Sequence, residues 1–299
     1  MIKQLYSYLR ILKQRIRDGF YMVATVVSPK LNTQLLYKKV FGKKIDFSNP
    51  KDFKEKLCWL KVYNYNKNPL VYRCADKLLV RDYIRECGCE EILNDLYYVY
   101  NNPKEINWDN LPNQFVLKWN FGAGMNYVCK DKSKINTNEL IAQLTKWGGV
   151  KYWLPYSEMQ YKYIPKKIIC EKYLSEDTKE VISDYKVYCF NGQPLAILVM
   201  HDRGHTIKTE FFDEKWNSLK NSSKYTTPEC KTARPECLNQ MLEVSEKLSK
   251  PFPFVRCDYY IVNNKLYFGE MTFTPAGCMW PSETKIGDKT MGELLDLSK

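Results

Sequence analysis

Two carboxylates stand in one predicted β-hairpin near the end of the sequence, within FVRCDYYIVNNKLYFGE (residues 254–270). Two apolar runs flank an Asn-Asn pair, which predicts two strands joined by a tight turn. Antiparallel pairing about this turn places Asp258 and Glu270 close to facing positions. Facing carboxylates repel each other unless a cation lies between them, and Mg²⁺ binds one or two carboxylates together with phosphate oxygens. The hairpin therefore predicts a metal site, with two unpaired acids on a solvated sheet face as the alternative.

A lysine at the end of a second predicted strand precedes a glycine-rich loop, in QFVLKWNFGAGMN (residues 114–126). Lys118 could contact phosphates while backbone N–H groups of the loop that contains Gly122 and Gly124 fold over them. The spacing matches neither GxxxxGK[ST] nor GxGxxG, which argues against P-loop and Rossmann sites. Taken alone, these residues fit a solvated lysine before a turn better than a nucleotide site.

Other charged residues stand in or just after predicted strands. Glu171 follows three apolar residues in KIICEKYL, which fits either a hinge beside an adenine edge or a strand reaching the surface. Asp184 and Lys186 point to one face of a strand, where they could contact a ribose and a phosphate or form a surface ion pair. Arg203, in MHDRGH, could bind an acidic substrate or phosphate, or join a loop ion pair.

The elements that must position these residues are predicted from periodicity and from helix-ending signals. Residues 1–70 are mostly helical in pattern, and a further helix follows Asp76 and stops at Gly88. From Gln114 onward, strands and helices alternate, and Asn136 is placed to cap one of these helices. This interleaving predicts a mixed α+β or α/β architecture.

Composition sets the class of protein and of partner. The 299 residues suffice for one large domain or two smaller ones, and 44% hydrophobic residues indicate a folded globular chain. A net charge of +12 suits anionic partners without choosing among them. Eleven cysteines without a CxxC spacing argue against zinc and point to buried thiols in the reducing cytosol.

The first predicted helix, IKQLYSYLRILKQRIRDGF, is basic and carries an apolar stripe of Leu5, Leu9, Leu12 and Ile16. We expect this helix to pack on the body of the protein. The alternative is an interfacial helix that gives the protein a peripheral contact with the anionic inner face of a membrane. No segment approaches the roughly 18–20 apolar residues that span a bilayer.

Taken in order along the chain, these motifs resemble those of the ATP-grasp ligases. The motifs are Asp76-Lys77, Lys118 before its glycine loop, Glu171 to Leu174, Arg256-x-Asp258, and Glu270 with Thr272. Longer phrases, including CADKLLVRDYI, LPNQFVLKWNFGAG and FVRCDYYIVNNKLYFGEMTFTPAG, are similar to the TupA-like branch found in bacterial capsule and surface-polysaccharide gene clusters. The resemblance covers about residues 30–299.

The resemblance implies an ATP-grasp fold, in which two α+β subdomains hold the nucleotide, together with an N-terminal helical region. It implies ATP and Mg²⁺ as cofactors. The implied parts are an N-terminal helical region (1–70), the N-terminal part of the core (71–112), a lid subdomain with the glycine loop (113–174), and a C-terminal subdomain with the metal site (175–299).

The resemblance also implies roles for individual residues. For the nucleotide these are Lys77 and Lys118 at the phosphates, Gly122 and Gly124 in the covering loop, Glu171, Lys172 and Leu174 at the adenine, Asp184 at the ribose, and Lys186 at a phosphate or the substrate. Asp258 and Glu270 would bind Mg²⁺ with Thr272 as a further ligand. The catalytic residues would be Arg256, facing a developing oxyanion, and Arg203, binding substrate. The ligases usually carry asparagine in place of Thr272, whose hydroxyl is a weaker ligand for a second ion.

The implied activity is an ATP-dependent carboxylate–amine ligase that acts through an acyl phosphate. It would join an amino acid or amine to a uronic acid of a capsular or other surface polysaccharide, in the cytoplasm. The expected partners are an acidic sugar or glycan and a small amine, without nucleic acid. The alternatives are a glycosyltransferase or sugar kinase using the same cleft, or a non-catalytic scaffold. No D-x-D motif supports a metal-dependent transferase.

Overall fold

The computed structural model describes residues 2–175, 182–201, 207–219, 232–280 and 285–298. For residues 2–13 and 15, only the helical backbone is described. Arg203, predicted from the sequence as a catalytic residue, lies outside these ranges.

The chain begins with five helices whose ends follow from local sequence. They are α1 (Ile2–Val27), α2 (Pro29–Phe41), α3 (Phe53–Leu60), which continues into a π-helical turn (Lys61–Tyr65), α4 (Pro69–Ala75) and α5 (Val80–Glu86). The Ser28 side chain accepts a hydrogen bond from the Leu31 N–H at the start of α2. Asp52 and Glu55 form a reciprocal capping box at the start of α3. Gly88 has a positive φ just after α5, which confirms the predicted helix stop.

The predicted packing of α1 is wrong at Ile16, which is exposed. A different face of α1 contacts the body of the protein, through the buried side chains of Ala24 and Thr25. Within the described residues, no helix combines the length and the apolar composition needed to cross a membrane.

The first of two large sheets has four antiparallel strands in the order β1-β4-β2-β3. Its elements are β1 (Leu96–Tyr100), β2 (Phe115–Trp119), β3 (Asn126–Cys129), α6 (Thr137–Gly148) and β4 (Ile168–Lys172). Phe115 and Leu117 are fully buried on one face, while Val116 and Lys118 alternate onto the other. The Trp119 indole N–H donates to the Leu144 carbonyl, which fixes α6 against the sheet.

The second sheet has five antiparallel strands in the order β7-β6-β5-β8-β9. Its elements are β5 (Asp184–Phe190), β6 (Gln193–His201), β7 (Lys208–Asp213), α7 (Leu238–Ser249), β8 (Phe254–Val262) and β9 (Lys265–Thr272). The turn residues Asn263 and Asn264 both have positive φ, which suits a two-residue hairpin turn. Helix α7 packs on one face, where the Ser245 and Tyr259 hydroxyls are 2.9 Å apart. The opposite face carries the charged side chains predicted from the sequence.

The end of the chain returns to the N-terminal helices. Short strands β10 (Lys285–Ile286) and β11 (Lys289–Thr290) precede α8 (Met291–Leu294). The Lys56 ammonium group of α3 donates to the carbonyls of Gly292 and Leu295, at 2.7 Å each. Helices and two antiparallel sheets thus share one core, which confirms the predicted α+β class. The predicted subdomain boundaries stay a prediction.

Candidate functional site

A cavity of about 340 Å³ lies between the two large sheets. Val116 and Val128 line it from the first sheet, Asp184 and Tyr260 from the second, and Leu174 from the segment after β4. Pockets for cofactors are commonly apolar with a few polar groups that fix orientation. The cavity therefore has the character of a site for a flat aromatic group with polar edges.

Three charged side chains meet on the first sheet beside this cavity. The Lys118 ammonium group donates to Oε2 of Glu171 at 2.7 Å, and the Arg81 guanidinium lies 3.4 Å from Oε1 of the same carboxylate. Register explains the first contact, since Val116 lies opposite Glu171 and Lys118 is two residues further along β2. The Glu171 carboxylate is therefore shared by Lys118, which lines the cavity, and Arg81, which is buried.

Arg81 is held among the elements that precede the cavity. It is buried in α5, and its guanidinium also donates to the Asn94 carbonyl at 2.7 Å. Burial lowers the pKa of Arg81 from its ordinary value, although the Glu171 carboxylate opposes that shift. The Asn94 side chain in turn donates to the Lys172 carbonyl at 2.8 Å. These contacts fix the end of β4, where the chain passes from one sheet toward the other.

The second sheet carries a row of charged side chains across three adjacent strands. Lys186 of β5 lies opposite Asp258 of β8, which lies opposite Glu270 of β9. The Lys186 ammonium group is 2.6 Å from an Asp258 oxygen and 3.6 Å from an Asp184 oxygen. Lys186, Asp258 and Asp184 are all buried. The row is a preorganised set of charges facing away from α7.

Arg256 forms the neighbouring row with Thr272, its partner in the β-ladder. Two guanidinium nitrogens bind the two Asp258 oxygens at 2.6 and 2.7 Å, and one of them lies 3.2 Å from the Thr272 hydroxyl oxygen. Burial alone would lower the pKa of Arg256, but the Asp258 carboxylate raises it above the ordinary value. Arg256 therefore stays charged and fixes the Asp258 carboxylate by a two-pronged contact.

Glu270 connects this row to the glycine loop. Burial would raise its pKa, but Lys77, Lys186 and Arg256 lower it from 4.5 to about 2. The Lys77 ammonium group lies 3.4 Å from a Glu270 oxygen and also donates to the carbonyl of Gly122. Glu270 is therefore ionised at neutral pH, and Lys77 joins its carboxylate to the loop.

One position of the glycine loop, Gly122, requires glycine for two separate reasons. Gly122 has a φ of +65°, and a Cβ there would lie 2.5 Å from the Tyr152 ring. Gly124 also has a positive φ, but nothing lies within 4 Å of its virtual Cβ. The loop is thus packed tightly at Gly122 and open at Gly124.

Residues 55–296 match the family model described as TupA-like ATP-grasp. The match spans most of the chain. The chain belongs to the TupA-like ATP-grasp family. No match was found among curated proteins.

Two solved structures each match about two thirds of this chain. The D-alanine–D-alanine ligase from Bacillus anthracis is 18% identical, with a TM-score of 0.42, and the match covers 67% of this chain and 57% of that one. The N5-carboxyaminoimidazole synthetase from Staphylococcus aureus, complexed with ADP, is 13% identical, with a TM-score of 0.44 and coverage of 68% and 45%. The chain thus spans about half the length of the structures it matches.

The structure brings together most of the residues predicted for this family's site. Asp258 and Glu270 are directly opposite each other, which confirms that the two acids face each other, although a register shift between Asp258 and Tyr259 that the sequence did not predict places them there. The surface ion pair considered for Asp184 and Lys186 is wrong, because both side chains are buried. The solvated alternative for Lys118 is also wrong, because its ammonium group is bound to a carboxylate.

Two further features describe the surroundings of these residues. The hairpin face that holds the two acids is charged, since the apolar neighbours Val255 and Met271 are buried and alternate onto the other face. The Lys172 side chain is exposed and lies 3.3 Å from an Asp95 oxygen. The predicted contact of Lys172 with adenine stays a prediction, as does the oxyanion role of Arg256.

The oxygen atoms at this site fit Mg²⁺ shared with phosphates. Glu270 is ionised, and its Oε1 lies 3.3 Å from the Thr272 hydroxyl oxygen. Asp258 Oδ2 accepts hydrogen bonds from both Lys186 and Arg256, whereas Oδ1 accepts from Arg256 alone and keeps a further lone pair for a metal ion. The described part of the chain has no group of three or more His, Cys, Asp or Glu side chains able to hold a metal. Two carboxylates completed by phosphate oxygens suit Mg²⁺ in particular.

Sequence reasoning missed Arg81, Asn94 and Tyr260 at this site. Tyr260 had a signal, because it stands two residues after Asp258 and must share its strand face. For Arg81 the sequence pattern was weaker: a lone arginine in the apolar helical run LLVRDYI. For Asn94 no sequence pattern indicated a role, since its contacts join it to residues that are distant in the sequence.

Proposed function

We propose that this chain is an ATP-dependent carboxylate–amine ligase. The observation that carries the proposal is the double row of buried or half-buried charges on β5, β8 and β9, adjoining an apolar cavity. Such a face can neutralise a polyphosphate while the cavity holds a base. Family membership supports ATP as the nucleotide.

Each part of the site has a role in this proposal. The adenine would lie between Val116, Val128 and Leu174, with Asp184 near the ribose. Lys118 would leave the Glu171 carboxylate, or share it, to contact a phosphate. Mg²⁺, when bound by Asp258 and Glu270, would neutralise phosphate charge.

The cationic side chains of the second sheet would act mainly by position and charge. Lys77 and Lys186 lie at the two acids, so both are placed to contact phosphate oxygens that approach them. Arg256 is fixed by Asp258 and would stabilise negative charge that develops on the reacting carbonyl oxygen. Phosphoryl transfer is catalysed largely by such positioning and electrostatics.

The reaction would proceed in two balanced steps. A carboxylate oxygen attacks the γ-phosphorus of ATP, which gives an acyl phosphate and ADP. An amine then attacks the acyl carbon, forming the amide, releasing inorganic phosphate and losing a proton. We propose a uronic acid of a surface polysaccharide as the carboxylate and an amino acid or small amine as the nucleophile, in the cytoplasm where ATP is available. The chain's net charge of +12 favours such an acidic substrate.

The test is a matrix of uronic acids and amines incubated with the protein, ATP and Mg²⁺. A ligase releases inorganic phosphate and ADP only when both substrates are present, and mass spectrometry shows a condensed product. A phosphorylated sugar formed without amine would instead show a kinase. Transfer from a nucleotide sugar without ATP would show a glycosyltransferase. Absence of every product over the whole matrix would contradict the ligase proposal.

A binding measurement separates nucleotide recognition from substrate choice. Lys118→Ala should lower the affinity for a non-hydrolysable ATP analogue about tenfold, because one charge-assisted phosphate contact is lost. Lys130→Ala is the matched control, since Lys130 also lines the cavity but precedes no glycine loop. Equal losses in the two variants would mean that Lys118 acts only through general positive charge.

A further inference from the structure

The C-terminal half of α1 carries an apolar stripe that the protein leaves exposed. Ile16, Phe20, Val23 and Val27 recur at helical spacing, and their exposed fractions are 67%, 57%, 64% and 71%. With Val26, they are the most exposed large apolar side chains in the residues that the structure describes. A contiguous exposed apolar patch of this kind marks an interaction surface.

Contacts on the other side of α1 keep this stripe outside. The Thr25 hydroxyl donates to the Leu154 carbonyl at 2.7 Å and lies 2.9 Å from the Ser157 hydroxyl oxygen. The Asn32 side-chain amide donates to the Thr25 hydroxyl oxygen at 2.7 Å. All these side-chain groups are buried. Turning the stripe inward would leave them without partners, so α1 is fixed with its apolar stripe toward solvent.

Charge decides what can cover the stripe. The sequence of α1 contains five basic residues and one acidic residue, all before the apolar segment that begins at Phe20. The basic residues are Lys3, Arg10, Lys13, Arg15 and Arg17, and the acidic one is Asp18. A parallel second copy of α1 would bring the same positive charge to the contact and be repelled. An antiparallel copy would cover the apolar stripe but leave the basic residues without an anionic partner. Anionic headgroups beside acyl chains complement both the charge and the apolar stripe.

We propose that α1 lies in the surface of an anionic membrane, with Phe20 and Val23 among the acyl chains and the basic residues at the headgroups. The helix would hold the protein at the membrane without crossing it. The proposal is independent of the ligase activity, because no residue of the cavity belongs to α1.

The experiment is co-sedimentation of the full chain with vesicles. One set contains phosphatidylcholine and phosphatidylglycerol, and the other contains phosphatidylcholine alone. We expect binding to the anionic vesicles that weakens as salt is raised, because salt screens the headgroup charge. The double variant Phe20→Ser/Val23→Ser should bind about tenfold more weakly, since it removes two apolar side chains from the contact. Val150→Ser, which alters an exposed valine outside α1, should bind as the parent does.

A charge variant and a size measurement separate the remaining explanations. Arg17→Glu should weaken binding to anionic vesicles and leave any weak binding to neutral vesicles unchanged. Binding to anionic vesicles that Phe20→Ser/Val23→Ser leaves intact would overturn the proposal. So would a stable dimer, seen by light scattering, that the double variant dissociates. Failure of the parent chain to sediment with anionic vesicles at low salt would overturn it as well.

Discussion

The two sheets differ in the side chains that they present in and around the cavity between them. The first presents Val116 and Val128 to the cavity with Lys118 beside them. Its Glu171 carboxylate, beside the cavity, is bound by two cations. The second presents Asp258 and Glu270 side by side, held by three cationic side chains. We propose that the first sheet recognises the base and contributes one phosphate contact through Lys118, while the second sheet binds metal and most of the phosphate charge. Variants on each sheet should therefore fail in different ways.

The largest expected effect is on the second sheet. Asp258→Asn removes one of two facing carboxylates while keeping the shape and the hydrogen bonds to Arg256 in part. We expect ATP turnover to fall about 100-fold or more, because preorganised charge is lost where charge develops. The KM for ATP should change only a few-fold, since the base site is untouched. Steady-state kinetics over a range of ATP concentrations measures both.

Asp95→Asn is the control for this variant, because the Asp95 carboxylate is exposed beside the first sheet. It should leave turnover unchanged. If Asp258→Asn instead raised KM for ATP strongly with little loss of turnover, the proposed division between the sheets would be wrong.

Arg81→Met tests the first sheet through stability. Removing one partner of a buried ion pair leaves the Glu171 carboxylate with Lys118 alone, and we expect a loss of about 3 kcal/mol in the free energy of unfolding. Arg73→Met is a matched control, because the Arg73–Glu86 ion pair is partly exposed and worth about 1 kcal/mol or less. Urea denaturation compares the two. Equal losses would mean that the Arg81 contact contributes no more than a surface pair.

Parts of this site could be predicted from sequence because strand alternation is a local rule. The Asn-Asn turn predicts the hairpin and brings Asp258 close to Glu270, but the turn register alone would pair Asp258 with Gly269, and a β-bulge shifts Glu270 into the facing position. The ion pair of Arg81 with Glu171 joins residues ninety positions apart, and no local pattern encodes such a distance. Strand β1 was missed for a different reason. Its central residues 97–99 are all exposed, so LYYVY lacks the buried–exposed alternation that marks a strand.

A smaller effect is expected from the acid dependence of stability. The folded-state pKa of Glu270 is lowered from 4.5 to about 2. The ionised carboxylate therefore contributes stability that is fully present above about pH 4.5 and is lost as the pH falls toward 2. Near neutral pH, the free energy of unfolding of the parent should exceed that of Glu270→Gln by about 1 kcal/mol. This is less than the full linkage value because the Glu270 side chain is partly exposed. That advantage should shrink between pH 5 and pH 2 in urea melts.

The free energies of unfolding of the parent and Glu270→Gln could instead differ by a constant amount over this pH range. That result would show that the charge of Glu270 is not what stabilises the fold. Glu246→Gln serves as the control for acid sensitivity in general, because Glu246 lies on the exposed side of α7. It should follow the parent throughout.

The smallest effect is expected at Lys172, where the resemblance implies an adenine contact but the side chain points to Asp95. Its carbonyl accepts from Asn94 and its N–H donates to the Asp95 carbonyl at 3.0 Å, so the backbone at the cavity is held without the ammonium group. Lys172→Ala removes an exposed ion pair, and the KM for ATP should change less than about twofold. A tenfold rise would place the ammonium group on the nucleotide, and Lys172 would then join Lys118 as a charged contact from the first sheet. Asn94→Ala supplies the contrast, because it releases the carbonyl from its side-chain donor and should raise KM where Lys172→Ala does not.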